Sequence, residues 1–111
     1  MSEFTSFLED VFRQFGEISC RKMFGGHGVY HNGTMFGLVA DDVLFLKADK
    51  SIVSFFVERD LPPFEYPKGG KMIKMSYYQA PEEVYEDSFE AEVWARRSYE
   101  CALAAKKGKA E

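Results

Sequence analysis

Over the first fifteen positions Phe4, Phe7, Leu8, Val11, Phe12 and Phe15 recur at spacings of three and four. That places them on one stripe of an amphipathic helix. Ser2 can cap its start, and Gly16 follows the stripe where helices commonly end. Three of the phenylalanines are placed to cover a sheet. The pattern then shortens towards alternation. Ile18–Phe24, His27–His31, Thr34–Ala40 and Val43–Ala48 read as strands. Asn32-Gly33 between the second and third is the strongest short hairpin signal. Asp41-Asp42 marks another tight turn, and an antiparallel meander of three or four strands follows.

A two-residue turn at Asn32-Gly33 sets Val29 opposite Phe36 and Gly28 opposite Gly37. A second at Asp41-Asp42 sets Leu38 opposite Phe45 and Val39 opposite Leu44. One face is then expected to carry Val29, Phe36, Leu38, Val43 and Phe45, and the other Tyr30, Met35, Val39, Leu44 and Leu46. Both are substantially apolar, whereas a sheet with one solvated face alternates more cleanly. The second face is expected to be covered by further helix or by another subunit, which gives homodimerisation a motive.

Asp49 or Ser51 can cap a second helix through Ile52, Val53, Phe55, Phe56 and Val57 to about Asp60, broken by Leu61-Pro62-Pro63. Phe64–Gly70 reads as a turn-rich connection. Met72–Tyr78 is a further strand, with Ile73, Met75 and Tyr77 on one face and Lys74 and Ser76 on the other. Pro81 with Glu82 and Glu83 suits the first turn of a helix. Asp87 or Ser88 opens the last helix, which runs through Trp94 and Tyr99 to about Ala105. Glu90 stands at a capping-box spacing from Asp87, and Lys106, Lys107 and Lys109 favour the far end. The order α-β4-α-β-α-α predicts one α+β domain over residues 1–111, a two-layer arrangement of an antiparallel β-meander sheet packed by helices.

Composition agrees with a folded core: 46% of the 111 residues are hydrophobic and 16% aromatic, against the signature of disorder. No apolar run approaches the roughly 20 residues that span a bilayer. Met1-Ser2-Glu3-Phe4 lacks the basic start of a signal peptide. A cytoplasmic protein without a membrane partner is expected. Cys20 and Cys101 stand far apart without a CxxC, so two reduced, partly buried thiols are expected rather than a disulfide. The net charge of −4 is uneven: residues 21–80 carry eight bases and six acids, and residues 81–111 carry eight acids and five bases. An acidic chain lacking a large basic block is a poor autonomous binder of duplex DNA.

Candidate chemistry is sparse. His27 and His31 are separated by roughly 13 Å along a strand, so they cannot share one metal ion, and edge or surface histidines are expected. Arg21-Lys22 could lower the Cys20 pKa, although neighbours on a strand point to opposite faces. Gly25-Gly26-His27-Gly28 beside Arg21 and Lys22 could cradle an anion with backbone N–H groups, but it leads into a strand and fits neither phosphate-loop pattern. A bulge with an aromatic ring lying across the glycine backbone is the preferred reading. Glu82, Glu83, Glu86, Asp87, Glu90 and Glu92 suit a solvated helix start, or a surface for a basic protein.

Arg21-Lys22-Met23-Phe24-Gly25-Gly26-His27-Gly28-Val29-Tyr30 resembles the N-terminal domain of the TfoX (Sxy) competence-regulator family. The likeness continues at Gly33-Thr34-Met35-Phe36, Leu44-Phe45-Leu46-Lys47-Ala48-Asp49, Pro63-Phe64-Glu65-Tyr66 and Gly70-Lys71. It extends to Met75-Ser76-Tyr77-Tyr78-Gln79-Ala80-Pro81-Glu82-Glu83 and Trp94-Ala95. The resemblance implies a small α+β domain similar to secretion-chaperone-like folds. It also implies regulation of DNA-uptake genes through a transcription activator, without catalysis. Full regulators of this kind carry a second, C-terminal domain, and this chain stops at Glu111, so a stand-alone domain is expected.

The expected function is a non-enzymatic regulatory or protein-interaction domain with no catalytic residue, metal or cofactor. Its expected binding residues are Arg21, Lys22, Gly25, Gly26 and His27 at the glycine turn, with Tyr77 and Tyr78 as an aromatic surface. Direct DNA contact would fall to Arg21, Lys22, Lys71 and Lys74. The alternative is a small-ligand or anion-binding protein, or an enzyme, using the Gly25–Gly28 turn.

Overall fold

The structure, a computed structural model, describes residues 3–23 and 25–110, with side chains as far as residue 107. The expected cap at Ser2, Phe24 at the end of the first strand, and the Lys109 side chain lie outside what is described. Helix α1 (Glu3–Val11) leads into strands β1 (Ser19–Met23), β2 (Gly26–His31), β3 (Thr34–Ala40) and β4 (Val43–Lys47). Then follow α2 (Val53–Val57), β5 (Pro63–Lys68), β6 (Lys71–Gln79), α3 (Glu83–Glu86) and α4 (Ser88–Ala110). The strands form one six-stranded sheet in the order β1-β2-β3-β4-β6-β5, with every neighbouring pair antiparallel. This is an α+β fold of two layers.

Both short turns form where the sequence places them. Asn32 and Gly33 take φ of 48° and 78° between the paired residues His31 and Thr34. Asp41 and Asp42 take φ of 52° and 58° between Ala40 and Val43. Positive φ at both central residues is the backbone whose twist matches a hairpin. The pairs Leu38–Phe45 and Val39–Leu44 follow as expected.

The β2–β3 register departs from expectation. Tyr30 pairs with Met35, but the next pair is Val29 with Gly37, because a bulge leaves Phe36 as an extra residue on β3. Gly28 therefore lies opposite Leu38, not Gly37. A one-residue insertion exchanges the faces beyond it. Val29 and Phe36 consequently share a face with Val39, Leu44 and Leu46, all five buried in the main core.

Helices cover that face. The α1 stripe carries Leu8 and Val11 into the core, and the chain continues in turns that place Phe12 and Phe15 there too. Gly16 closes those turns through its N–H to the Phe12 carbonyl, 3.0 Å. Phe12 and Phe15 meet Phe36 with ring centroids 5.7 and 5.4 Å apart, while Phe4 and Phe7 pack on Tyr85 of α3. The last helix is capped by Asp87, whose Oδ1 accepts from the N–H groups of Phe89 and Glu90. It runs five residues beyond the expected Ala105 to Ala110. Its buried row, Ala91, Ala95, Ser98 and Ala102, recurs at spacings of four, three and four, and such small side chains let the helix axis approach the sheet.

Two other local expectations change. Asp49 does not cap α2; its carboxylate binds Ser51 ahead of the helix, and Ile52 takes the N-cap position without a side-chain bond. The connection Phe64–Gly70 contains a strand: β5 pairs with β6 along its length, and Gly69 and Gly70 form the hairpin tip at φ 58° and 80°. Its prolines are tolerated because β5 is a sheet edge. Among the described residues no helix is long and apolar enough to cross a membrane.

Phe36→Ala should lower unfolding free energy by about 3–5 kcal/mol in urea titration, since it empties a fully buried aromatic site. Among the described residues the fully buried Ser98 hydroxyl has no hydrogen-bond partner. Ser98→Ala should therefore raise stability by about 1 kcal/mol, the burial cost of an unmatched hydroxyl.

Candidate interaction surface

Residues directly opposite in a ladder share a face, and successive residues alternate. Applied to the observed registers, one face of the sheet belongs to the helices. The other carries Arg21 and Met23 of β1, Tyr30 of β2, Met35 and Leu38 of β3, and Phe45 and Lys47 of β4. It continues through Tyr77, Met75 and Ile73 of β6 to Phe64 and Tyr66 of β5. The helical residues of the main core all pack with the Val29–Leu46 face, and Leu38 and Tyr77, although buried, lie outside that core.

The rings of this open face touch one another and two cations. Phe45 meets Phe64 edge-on at 5.2 Å, and Phe64 stacks on Tyr66 at 6.3 Å. The Arg21 guanidinium lies 4.9 Å from the Tyr30 ring centre and the Lys47 ammonium 5.1 Å from that of Tyr77, both within cation–π range. Lys68 and Lys71, paired across the β5–β6 hairpin, fall on the same face by alternation. Among the described residues the six strands hold one carboxylate, Glu65; it pairs with Lys74 on the other face. Among the described strand residues the open face thus has cations and no acid.

The sequence-derived residues divide between the two faces. Arg21 and Tyr77 belong to the open face. Lys22, paired with His27, belongs to the helix side, as does Tyr78, whose ring packs 5.6 Å from Phe56. Tyr77 and Tyr78 therefore do not form one aromatic surface. Of the cations considered for DNA contact, Arg21 and Lys71 lie on one face and Lys22 and Lys74 on the other. Residues that pattern reading missed are Tyr30, Phe45, Lys47, Phe64, Tyr66 and Lys68. The alternation Phe64-Glu65-Tyr66 was the available signal for the last three.

At the glycine turn, Gly25 takes φ 79°, and its neighbourhood is open. Gly26 presses on the neighbouring strand so closely that a Cβ would run into the Val39 carbonyl oxygen. A Cβ on Gly28 would meet the Tyr30 ring at 2.9 Å, with Met23 and Met35 sulfurs beside it. An aromatic ring does lie across the glycine backbone, and Arg21 and Lys22 diverge rather than converge. Two surface depressions lie along α4, one lined by Glu100, Leu103, Ala104, Lys106 and Lys107 and the other running from Phe89 to Glu100; neither reaches this turn. The geometry does not support an anion cradle.

His31 is half-buried. Its ring sits 4.6 Å from Phe15 and 4.8 Å from Tyr99, and Nδ1 is 2.7 Å from the Glu17 carbonyl oxygen. Among the described residues no cluster of His, Cys, Asp and Glu could hold a metal ion. Both cysteines are free thiols. Burial raises the Cys20 pKa, with Glu9 adding to it; the lowering by Arg21 and Lys22 considered from sequence does not occur. Burial, then Asp49, pushes Cys101 up to about 11, so neither is an activated nucleophile. In the acidic stretch, Glu83 pairs with Arg59 and Glu92 with Arg96, leaving Glu82 and Glu86 exposed.

The family model described as "TfoX N-terminal domain" matches residues 10–102. Among curated proteins the chain is similar to Protein Sxy of Escherichia coli (strain K12), with 24% identity over 86% of this chain and 46% of that protein. It is also similar to DNA transformation protein TfoX1 of Aliivibrio fischeri (strain ATCC 700601 / ES114), with 30% identity over 69% of this chain and 39% of that protein. The chain spans less than half the length of these curated relatives.

Burial on the open face pushes the Tyr77 phenol up to about 12. Folding then favours the protonated phenol, so its contribution is complete below an unfolded pKa of about 10 and is lost as pH rises towards 12. Thermal melts between those values should show falling stability, with a shallower fall in Tyr77→Phe.

Proposed function

The chain belongs to the TfoX N-terminal domain family, and on that premise we propose that it is a cytosolic, non-enzymatic regulatory domain. It acts in the control of DNA uptake by binding a protein partner, and that partner is a transcription activator. Support for the regulatory part comes from the match over residues 10–102 and from a relative named a DNA transformation protein.

The observation that carries the binding part is the open sheet face. A face rich in Tyr, Phe and Met, with Arg21 among them, has the aromatic, Met and Arg enrichment of protein-recognition surfaces, and Lys47, Lys68 and Lys71 add positive charge to it. Duplex DNA is a poor fit, because the cations proposed for it lie on opposite faces and the net charge is −4.

Deleting the coding sequence from the organism that carries it should lower transcripts of DNA-uptake genes several-fold, read by RNA sequencing, and re-expression should restore them. Unchanged transcripts under conditions that induce those genes would overturn the regulatory reading.

A further inference from the structure

The distribution of charge separates the two sides of the sheet. The chain has 18 acids and 14 Lys or Arg, yet among the described strand residues the open face collects Arg21, Lys47, Lys68 and Lys71 with no carboxylate. Two of these cations are held over rings, which fixes them above an apolar floor. Half-buried Tyr30, Met35 and Phe45 lie in the accessible part of that floor.

Three kinds of occupant can be compared on this pattern. A second copy laid face to face would bring cations against cations, with no acid on either side to answer them. A single nucleic-acid strand would need free ring faces for its bases, but Tyr77 is buried and both it and Tyr30 already carry a cation. A protein segment alternating acidic and apolar side chains meets both demands, with carboxylates on the cations and apolar groups on the floor.

Resting on the protein-binding reading above, we propose that the open face docks an acidic, amphipathic segment of a partner protein. Its carboxylates meet Arg21, Lys47, Lys68 and Lys71, and its apolar side chains lie on Tyr30, Met35 and Phe45. Recognition is then set by charge at the rim and by shape-tolerant, Met-containing contacts beneath.

Fluorescence anisotropy on the full chain tests this with three labelled probes: a synthetic peptide alternating Asp with Leu or Phe, the same peptide with Lys for Asp, and oligothymidylate. The acidic peptide should bind, more weakly as salt rises, and the basic peptide should not. Arg21→Glu with Lys47→Glu should weaken binding by about tenfold or more, as expected for charges facing a partner. Lys22→Glu with Lys74→Glu makes the same net-charge change on the other face and should have a small effect. Far-UV circular dichroism checks folding, and Lys68→Glu with Lys71→Glu at the exposed hairpin tip replaces the first pair if that variant does not fold. Equal loss in both faces' variants, tighter binding of oligothymidylate, or no peptide binding by a chain that sediments as a dimer would each overturn the inference. If the peptide fails to bind while deletion still lowers DNA-uptake transcripts, this inference fails and the regulatory reading stands.

Discussion

Phe36 is the residue on which the two layers close. It is the extra residue of the β2–β3 bulge, fully buried, and its ring meets Phe12, Phe15 and Tyr99. Those contacts join the sheet to the turns that follow α1 and to α4. Edge-to-face pairs add to the burial of area, but the larger effect is geometric. Without the extra residue, β2 would match β3 in simple alternation, and Val29 would share its face with Leu38 and Phe45. With it, Val29, Phe36, Val39, Leu44 and Leu46 form one floor for the helices, and the cation-bearing side chains are sorted to the other side.

The elements governed by local rules were legible in the chain. The three-and-four spacing of Phe4 to Phe15, the Asn32-Gly33 turn, the Asp41-Asp42 turn and the Asp87 start of α4 each rest on neighbours in sequence. The bulge was not legible, because Phe36-Gly37-Leu38 fits two registers equally well until Phe12 and Phe15 are in place to choose. Strand β5 was hidden by Pro63 and Pro67, which argue against a central strand but not against an edge. For the candidate surface, Arg21 and Tyr77 were found from local signals. Their neighbours Tyr30, Phe45, Lys47 and Tyr66 are brought together only by the bulged register and the added hairpin. The contacts of half-buried His31 with Phe15 and Tyr99 come from tertiary packing that no local pattern announces.

The same register explains why the glycine turn is poor in chemistry although dense in glycine. Gly26 is needed where two backbones nearly touch, and Gly28 where the Tyr30 ring crosses the chain. These are packing demands, and they place Arg21 over an aromatic ring instead of beside an anion site. The segment marks the family while serving the sheet.

The two borders of the sheet carry a further consequence. On one side β5 contains Pro63 and Pro67, which cannot donate to a new ladder. On the other, β1 presents Arg21 and Lys22, and charged side chains on an edge discourage pairing with an incoming strand. Lateral growth is blocked at β5 and resisted at β1. The sheet is finite by construction, and the molecule offers its neighbours a platform, not a template for polymerisation.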